Sequence, residues 1–182
     1  FASDHKHLRG NALVADVYRR HPYYAIHSEV AENLLAGDKL TLNAIRRARP
    51  ARATADLMTL GYEGKSLEGY LNTLIRAGVT LLCDVRRKPL SRKYGFSKKT
   101  LSIACQGVRI QYEHLPELGI ASEERRELNS QSDYDALFDG YESDYLPHQG
   151  EALSKIVQWI AEGHRVALTC YEQEPQQCHR HC

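Results

Sequence analysis

A chain of 182 residues is one domain of ordinary size, with room for an appendage and enough length to bury a sizeable core. Its net charge of +1 means that attraction to a phosphate-bearing partner has to come from local patches, and five irregularly spaced cysteines argue against a secreted disulfide framework. The longest apolar runs are strand-length and no charged-then-apolar signal opens the chain, so it reads as cytoplasmic and without a membrane partner.

Residues 1–55 read as a separate N-terminal helical extension. Asn11 is placed to cap a helix over Ala12–Arg20, and Ser28 one over Glu29–Ala36 that Gly37 stops; a third segment runs from Leu40 to Pro50. Arg46, Arg47, Arg49 and Arg52 form a basic cluster here, which fits either the outer face of a small packed extension or an arm that contacts nucleic acid.

From Asp56 the pattern changes to strand, helix, strand. Leu57–Leu60 is an apolar run ending in Gly61, Tyr62, Glu63 and Gly64. Ser66 then caps a helix whose Leu67, Tyr70, Leu71, Leu74 and Ile75 recur at helical spacing until Gly78 stops it. Val79–Val85 follows as a buried strand, which makes a βαβ unit and a parallel pair. Ser97 is placed to cap a helix to about Cys105, and Val108, Ile110 and Tyr112 alternate as a third strand. Tyr134–Tyr145 and Gly150–Glu162 are helical in spacing, Arg165–Tyr171 is a fourth strand, and a last short helix begins near Pro175. The fold class expected is α/β: a three-layer sandwich with a small, mostly parallel sheet of at least four strands over 56–182, plus the helical extension. The chain opens without Met and stops at Cys182, and it reads as a piece of a longer product.

Charge is distributed unevenly. Arg86, Arg87, Lys88, Arg92, Lys93, Lys98 and Lys99 crowd the stretch after the second strand, with Tyr94 and Phe96 among them, whereas 113–144 carries ten acids against few cations. A basic, aromatic segment at the carboxyl end of a parallel strand favours a phosphate-bearing ligand, because open α/β sheets bind ligands at that edge. Parallel strands would deliver Tyr62 and Glu63, the loop from Asp84 through Arg86, Arg87, Ser91, Arg92 and Phe96, then His114, and finally Glu172, Cys178, His179 and Arg180 to one rim. Glu63, Asp84, Glu172, Cys178 and His179 are the catalytic candidates. Tyr62, Arg86, Arg87, Ser91, Arg92, Phe96, His114 and Arg180 are the substrate-binding ones. Ion pairing that orders the loop is the alternative role of Asp84 and Arg86, and a tight strand-to-helix turn that of Tyr62 and Glu63.

Cys170, Cys178, His179, His181 and Cys182 are of zinc-ligand type. Cys178 and His179, however, are neighbours that a helix would point about 100° apart, and no CxxC pair is present. No metal and no cofactor is therefore expected. A Cys178 thiol near the start of the last helix, beside His179 and Arg180, is favoured as thiolate; a plain buried cysteine is the alternative.

The pieces TLGYEGKSLEGYLNTL, LLCDVRRKPLSRKYGFSKKTL, IQYEHLPELG and VALTCYEQEPQQCHR together resemble the uncharacterised family called domain of unknown function 488, over about Asp56–Arg180. The resemblance implies the α/β fold and picks out Gly61, Tyr62, Glu63, Gly64, Asp84, Arg86, Pro89, Ser91, Phe96, Ser97, His114, Leu118, Gly119, Cys170, Glu172, Cys178, His179 and Arg180, without implying a reaction. Residues 1–55, His181 and Cys182 lie outside the pattern. The Asp84-Val85-Arg86 strand end also has a slight likeness to rhodanese domains, but the glycine-rich loop that cradles a rhodanese cysteine is missing after Cys170. The leading expectation is an enzyme acting on a nucleotide or nucleic acid, with a phosphate-binding basic loop beside an acid/His/Cys pocket. The alternatives are a non-catalytic nucleic-acid-binding module, whose Tyr94 and Phe96 stack on bases, and a thiol-dependent enzyme.

Overall fold

A computed structural model of the chain describes residues 8–50, 54–125 and 128–182. Arg52 of the first basic cluster therefore lies outside the described residues. The chain divides into two compact units, Phe1–Ala51 and Arg52–Cys182. Among the described residues, no helix is long and apolar enough to cross a membrane.

The first unit contains α1 (Gly10–Arg20), a 3₁₀ turn at Pro22–Ala25, α2 (Ala31–Leu34) and α3 (Lys39–Ala48). They enclose a small core of Ala15, Ala25, Ala31, Leu35 and Ile45. Asp38 caps α3 by accepting from Thr41 N at 3.0 Å and also receives Arg19 Nε at 3.0 Å. The helix expected over Glu29–Ala36 shrinks to a single turn. Ser28 Oγ accepts from Val30 N, two residues on, which favours a turn over a cap, and it also receives the Tyr18 hydroxyl.

The second unit is built on β1 (Asp56–Gly61), α4 (Leu67–Arg76), β2 (Leu81–Asp84), α5 (Lys98–Gly107), β3 (Gln111–His114), α6 (Gln131–Gly140), α7 (Gly150–Ala161) and β4 (Arg165–Cys170). The four strands form one sheet in the order β1-β4-β2-β3, with every pair parallel. Alternation along the strands supplies two faces. Leu82 and Ala167 join Tyr70 and Leu74 of α4 and Leu101 and Cys105 of α5 on one side. Leu81, Cys83 and Val166 meet Ala152 and Ile156 of α7 on the other. The result is the three-layer α/β arrangement.

β1 and β2 do not pair directly, contrary to the simple βαβ expectation, because β4 lies between them. Burial explains the order. Val166, Ala167, Thr169 and Cys170 are buried, which suits a central strand, whereas β1 has a single buried residue, Gly61, and forms an edge. The third strand starts at Gln111 rather than Val108, since α5 runs to Gly107 and closes through Arg109 at φ +61° with Ile110 N bonded to Cys105 O at 2.9 Å. Helices α4 and α7 end in the same way. Gly78 and Gly163 stand at positive φ, with Val79 N on Leu74 O and His164 N on Trp159 O, both at 3.0 Å. Each of these three helices thus hands the chain to the next strand through one motif.

The C-terminal strand ends share one rim, because Gly61 is in register with Cys170 and Asp84 with both Thr169 and His114. Gly61 is held against the segment after β4: a Cβ there would lie 1.8 Å from the Glu172 carbonyl oxygen. A Cβ on Gly163 would meet nothing within 4 Å, so only its positive φ disfavours a side chain. Urea denaturation should accordingly show Gly163→Ala losing about 1 kcal/mol and Gly61→Ala losing more, about 2–3 kcal/mol. The reverse order would show that the rim is not packed around Gly61.

Candidate functional site

Asp84 ends β2, flanked by β4 and β3, and it points to the face covered by α4 and α5; its residue exposure is 0%. A carboxylate sealed from water needs donors on both oxygens. Arg86 supplies three: its backbone N and Nε donate to Oδ1 at 3.1 and 2.8 Å, and Nη2 donates to Oδ2 at 2.5 Å. Tyr112 OH adds a fourth at 2.6 Å. Burial and the adjacent Asp84 charge push the Tyr112 hydroxyl well above its ordinary ionisation, which keeps it a donor. Arg86 uses its remaining arm on Tyr62 OH at 2.7 Å, and its backbone oxygen accepts from His114 Nε2 at 2.9 Å. His114 Nδ1 in turn accepts from Lys98 Nζ at 3.2 Å, which fixes the tautomer. Three strand ends are therefore tied to one ion pair.

The basic loop folds back on itself. Ser97 stands at the N-cap position of α5 but its side chain makes no cap bond; its hydroxyl donates to Ser91 O and accepts from Ser91 N, both at 3.1 Å, while Ser91 Oγ accepts from Lys93 N. Phe96 has 0% exposure and is stacked on Tyr62 at 4.3 Å, so it offers no ring face to a ligand; Tyr94 is exposed. Lys93 Nζ donates to Tyr62 O at 3.2 Å. Between this loop and the segment after β4 lies an open cleft of about 430 Å³. Arg86, Arg87, Lys88, Arg92, Lys93 and Arg125 line it, together with Tyr62, Ser91, Cys170, Tyr171, Glu172 and His179. Asp84 offsets Arg86, Glu172 offsets Arg125, and Glu123 lies 3.8 Å from Lys88. Arg87, Arg92 and Lys93 have no carboxylate partner among the described residues.

The floor comes from β4 and the turns that follow. Pro175–Gln177 and His179–His181 are separate 3₁₀ turns, and Cys178 between them is extended, at φ −139° and ψ 131°. This breaks the helix expected from Pro175 and turns the Cys178 sulfur and the His179 ring toward Cys170. Cys178 S–H donates to Cys170, lowering Cys170 to about 7 and raising Cys178 to about 12. Arg180 Nε also donates to Cys178 Sγ at 3.0 Å, an arrangement that favours charge on that sulfur. The two thiols thus share one ionisation that belongs to the pair rather than to either residue. Glu172 is pinned through its carbonyl by Arg180 Nη2 at 2.5 Å, and its Oε2 is buried without a hydrogen-bond partner.

Of the residues singled out in the sequence, the cleft gathers Tyr62, Arg86, Arg87, Ser91, Arg92, Glu172 and His179. Glu63, Asp84, Phe96, His114, Cys178 and Arg180 do not line it. Glu63 links two rim loops, donating its N–H to Tyr171 O at 2.8 Å and accepting from Gln173 N at 3.1 Å. Cys178, the thiol favoured as reactive, is fully buried, while Cys170 faces the cleft. Sequence reasoning missed Arg125 altogether. The one signal for it is a cation inside an otherwise acidic run.

Asp84→Asn leaves Arg86 buried without its counter-charge and should lose about 3–5 kcal/mol in chemical denaturation, whereas Tyr112→Phe, which removes one of four donors, should lose about 1 kcal/mol. Equal losses would show that the ion pair does not dominate the rim.

The family model described as Domain of unknown function DUF488 matches residues 66–182. The match begins after the Gly61–Gly64 loop and extends through His181 and Cys182, which the sequence motifs had left outside. No curated protein and no solved structure matches the chain. The matched span takes in β2, the basic loop, β3, β4 and the Cys-His-Arg turn, and the chain belongs to the DUF488 family of domains of unknown function.

Proposed function

We propose that the protein is an enzyme acting on a nucleotide or nucleic acid, which it holds by phosphate in the cleft at the C-terminal rim of the sheet. The observation that carries this reading is the cationic excess of the cleft: six basic side chains face it, three of them without a carboxylate partner among the described residues. Arg87, Arg92 and Lys93 are the phosphate ligands. Arg86, fixed by Asp84 and Tyr62, provides a rigid wall with its charge already compensated.

Catalysis rather than simple binding is favoured by what lies beneath the cations. Glu172 lines the cleft with its Oε1 held by Arg125 and its Oε2 buried and unpartnered, and it is the proton-handling group of this proposal. A flat basic surface would serve a binding module better than a walled cleft with a carboxylate in its floor. Tyr171, 44% exposed at the rim, offers a ring near the phosphate site.

The test is binding of nucleotides and single-stranded oligonucleotides across a range of salt, followed by product release from the same panel. The slope of log affinity against log salt should fall by about 0.7 for each of Arg92→Ala and Lys93→Ala. Glu172→Gln should keep affinity and lose about 10²–10⁴-fold in turnover. Salt-independent binding rejects the cleft as a phosphate site. Salt-dependent binding with no product from any member of the panel assigns the domain to the binding-module alternative.

A further inference from the structure

We propose that Cys170 Sγ, Cys178 Sγ and His179 Nδ1 form a site for one Zn²⁺ or a similarly thiophilic divalent ion, with the fourth coordination position on the side of the cleft. The three donor atoms lie within 4.8 Å of one another and all three residues are buried. Around tetrahedral zinc, with Zn–S near 2.3 Å and Zn–N near 2.0–2.1 Å, neighbouring donors sit roughly 3.5–3.8 Å apart. Cys178 Sγ and His179 Nδ1 are 3.9 Å apart, so little movement closes the shell. Two features of the sequence spoke against a metal, the lack of a CxxC pair and a helix expected to run through Cys178 and His179. That helix is absent: the extended backbone of Cys178 brings adjacent residues to one point.

The surroundings orient the donors as a metal site requires. His179 Nε2 lies 3.3 Å from the Val85 carbonyl, which can only accept; Nε2 therefore carries the proton and Nδ1 offers its lone pair to the sulfurs. Arg180 bridges the Cys178 sulfur and the Glu172 carbonyl, holding the turn in place and offsetting thiolate charge. Two thiolates and an imidazole form a soft set that selects zinc over magnesium or calcium. Cys170 and His179 line the cleft and Cys178 does not, so the open side of the shell is the cleft side. Glu142, His181 and Cys182 also bring donor atoms within 4.8 Å, but Glu142 and His181 are exposed, and this group is the competitor to separate.

The inference uses no step of the phosphate-binding reading, and metal uptake is measured without nucleotide, so either can fail alone. Titrating Co²⁺ into the reduced full chain should give one ion per chain with sulfur-to-cobalt charge-transfer absorption, and Zn²⁺ should displace it. Cys178→Ser should weaken Co²⁺ binding by at least about 100-fold, while Cys182→Ser leaves it unchanged. X-ray absorption at the zinc edge of the loaded wild-type chain should show two sulfur and one nitrogen neighbours. That measurement decides alone if Cys178→Ser fails to fold. A reduced wild-type chain without the charge-transfer band, a first shell lacking sulfur, or uptake that survives Cys178→Ser and disappears in Cys182→Ser overturns the site.

Discussion

Asp84 sits at the end of a strand flanked on both sides and covered by helices, where water cannot solvate its charge. A buried carboxylate has to be matched by donors or be protonated, and here the donors determine what surrounds it. Arg86 must turn back over Asp84, Tyr112 must reach across from β3, and Tyr62 must come from the loop after β1 to occupy the outer arm of Arg86. Once these are set, the Arg86 backbone oxygen fixes His114 and the Tyr62 ring is fixed against Phe96. The ion pair need not add net stability to have this effect, since its partners are costly only when separated.

A second buried network secures the neighbouring strands. Thr169 on β4 accepts from Tyr70 OH of α4 at 2.6 Å and donates to Leu60 O of β1 at 3.1 Å. Burial pushes the Tyr70 hydroxyl far above its ordinary ionisation, so it remains a donor at any ordinary pH. With Gly61 packed under Glu172, the segment after β4 is positioned by backbone contact as well as by side chains. Rigid walls of this kind are what allow a small number of cations to define a binding geometry.

Much of this was legible in the sequence where one local rule decided the outcome. Ser66 capped α4 as its spacing required, accepting from Gly69 N at 3.1 Å, and the apolar strands β2 and β4 stood out by composition. What the sequence left hidden depended on competition between local rules or on distant contacts. Ser28 and Ser97 are both good caps, yet each bonds elsewhere. The insertion of β4 between β1 and β2 follows from relative burial, which no single segment reveals. Arg109 took the left-handed position that Gly78 and Gly163 announce openly, and the third strand moved with it. In the site, the rim residues were visible as strand ends, but which of them face the cleft depends on where Asp84 and Phe96 are sealed.

The density of positive charge after β2 therefore divides into two uses. Arg86 belongs to the framework: its guanidinium is consumed by Asp84 and Tyr62, and replacing Asp84 would free charge without adding a useful contact. Arg87 is held by neutral acceptors, Pro116 O at 3.3 Å and Tyr145 OH at 3.2 Å, so it is oriented and yet keeps its full charge. Gly119 allows this arrangement, since a Cβ there would lie 2.1 Å from Arg87 N. Lys93 is likewise directed by the Tyr62 carbonyl rather than by an acid. Cations oriented by carbonyls and hydroxyls remain available to an anion, whereas cations oriented by carboxylates do not, and this distinction gives the cleft its selective side.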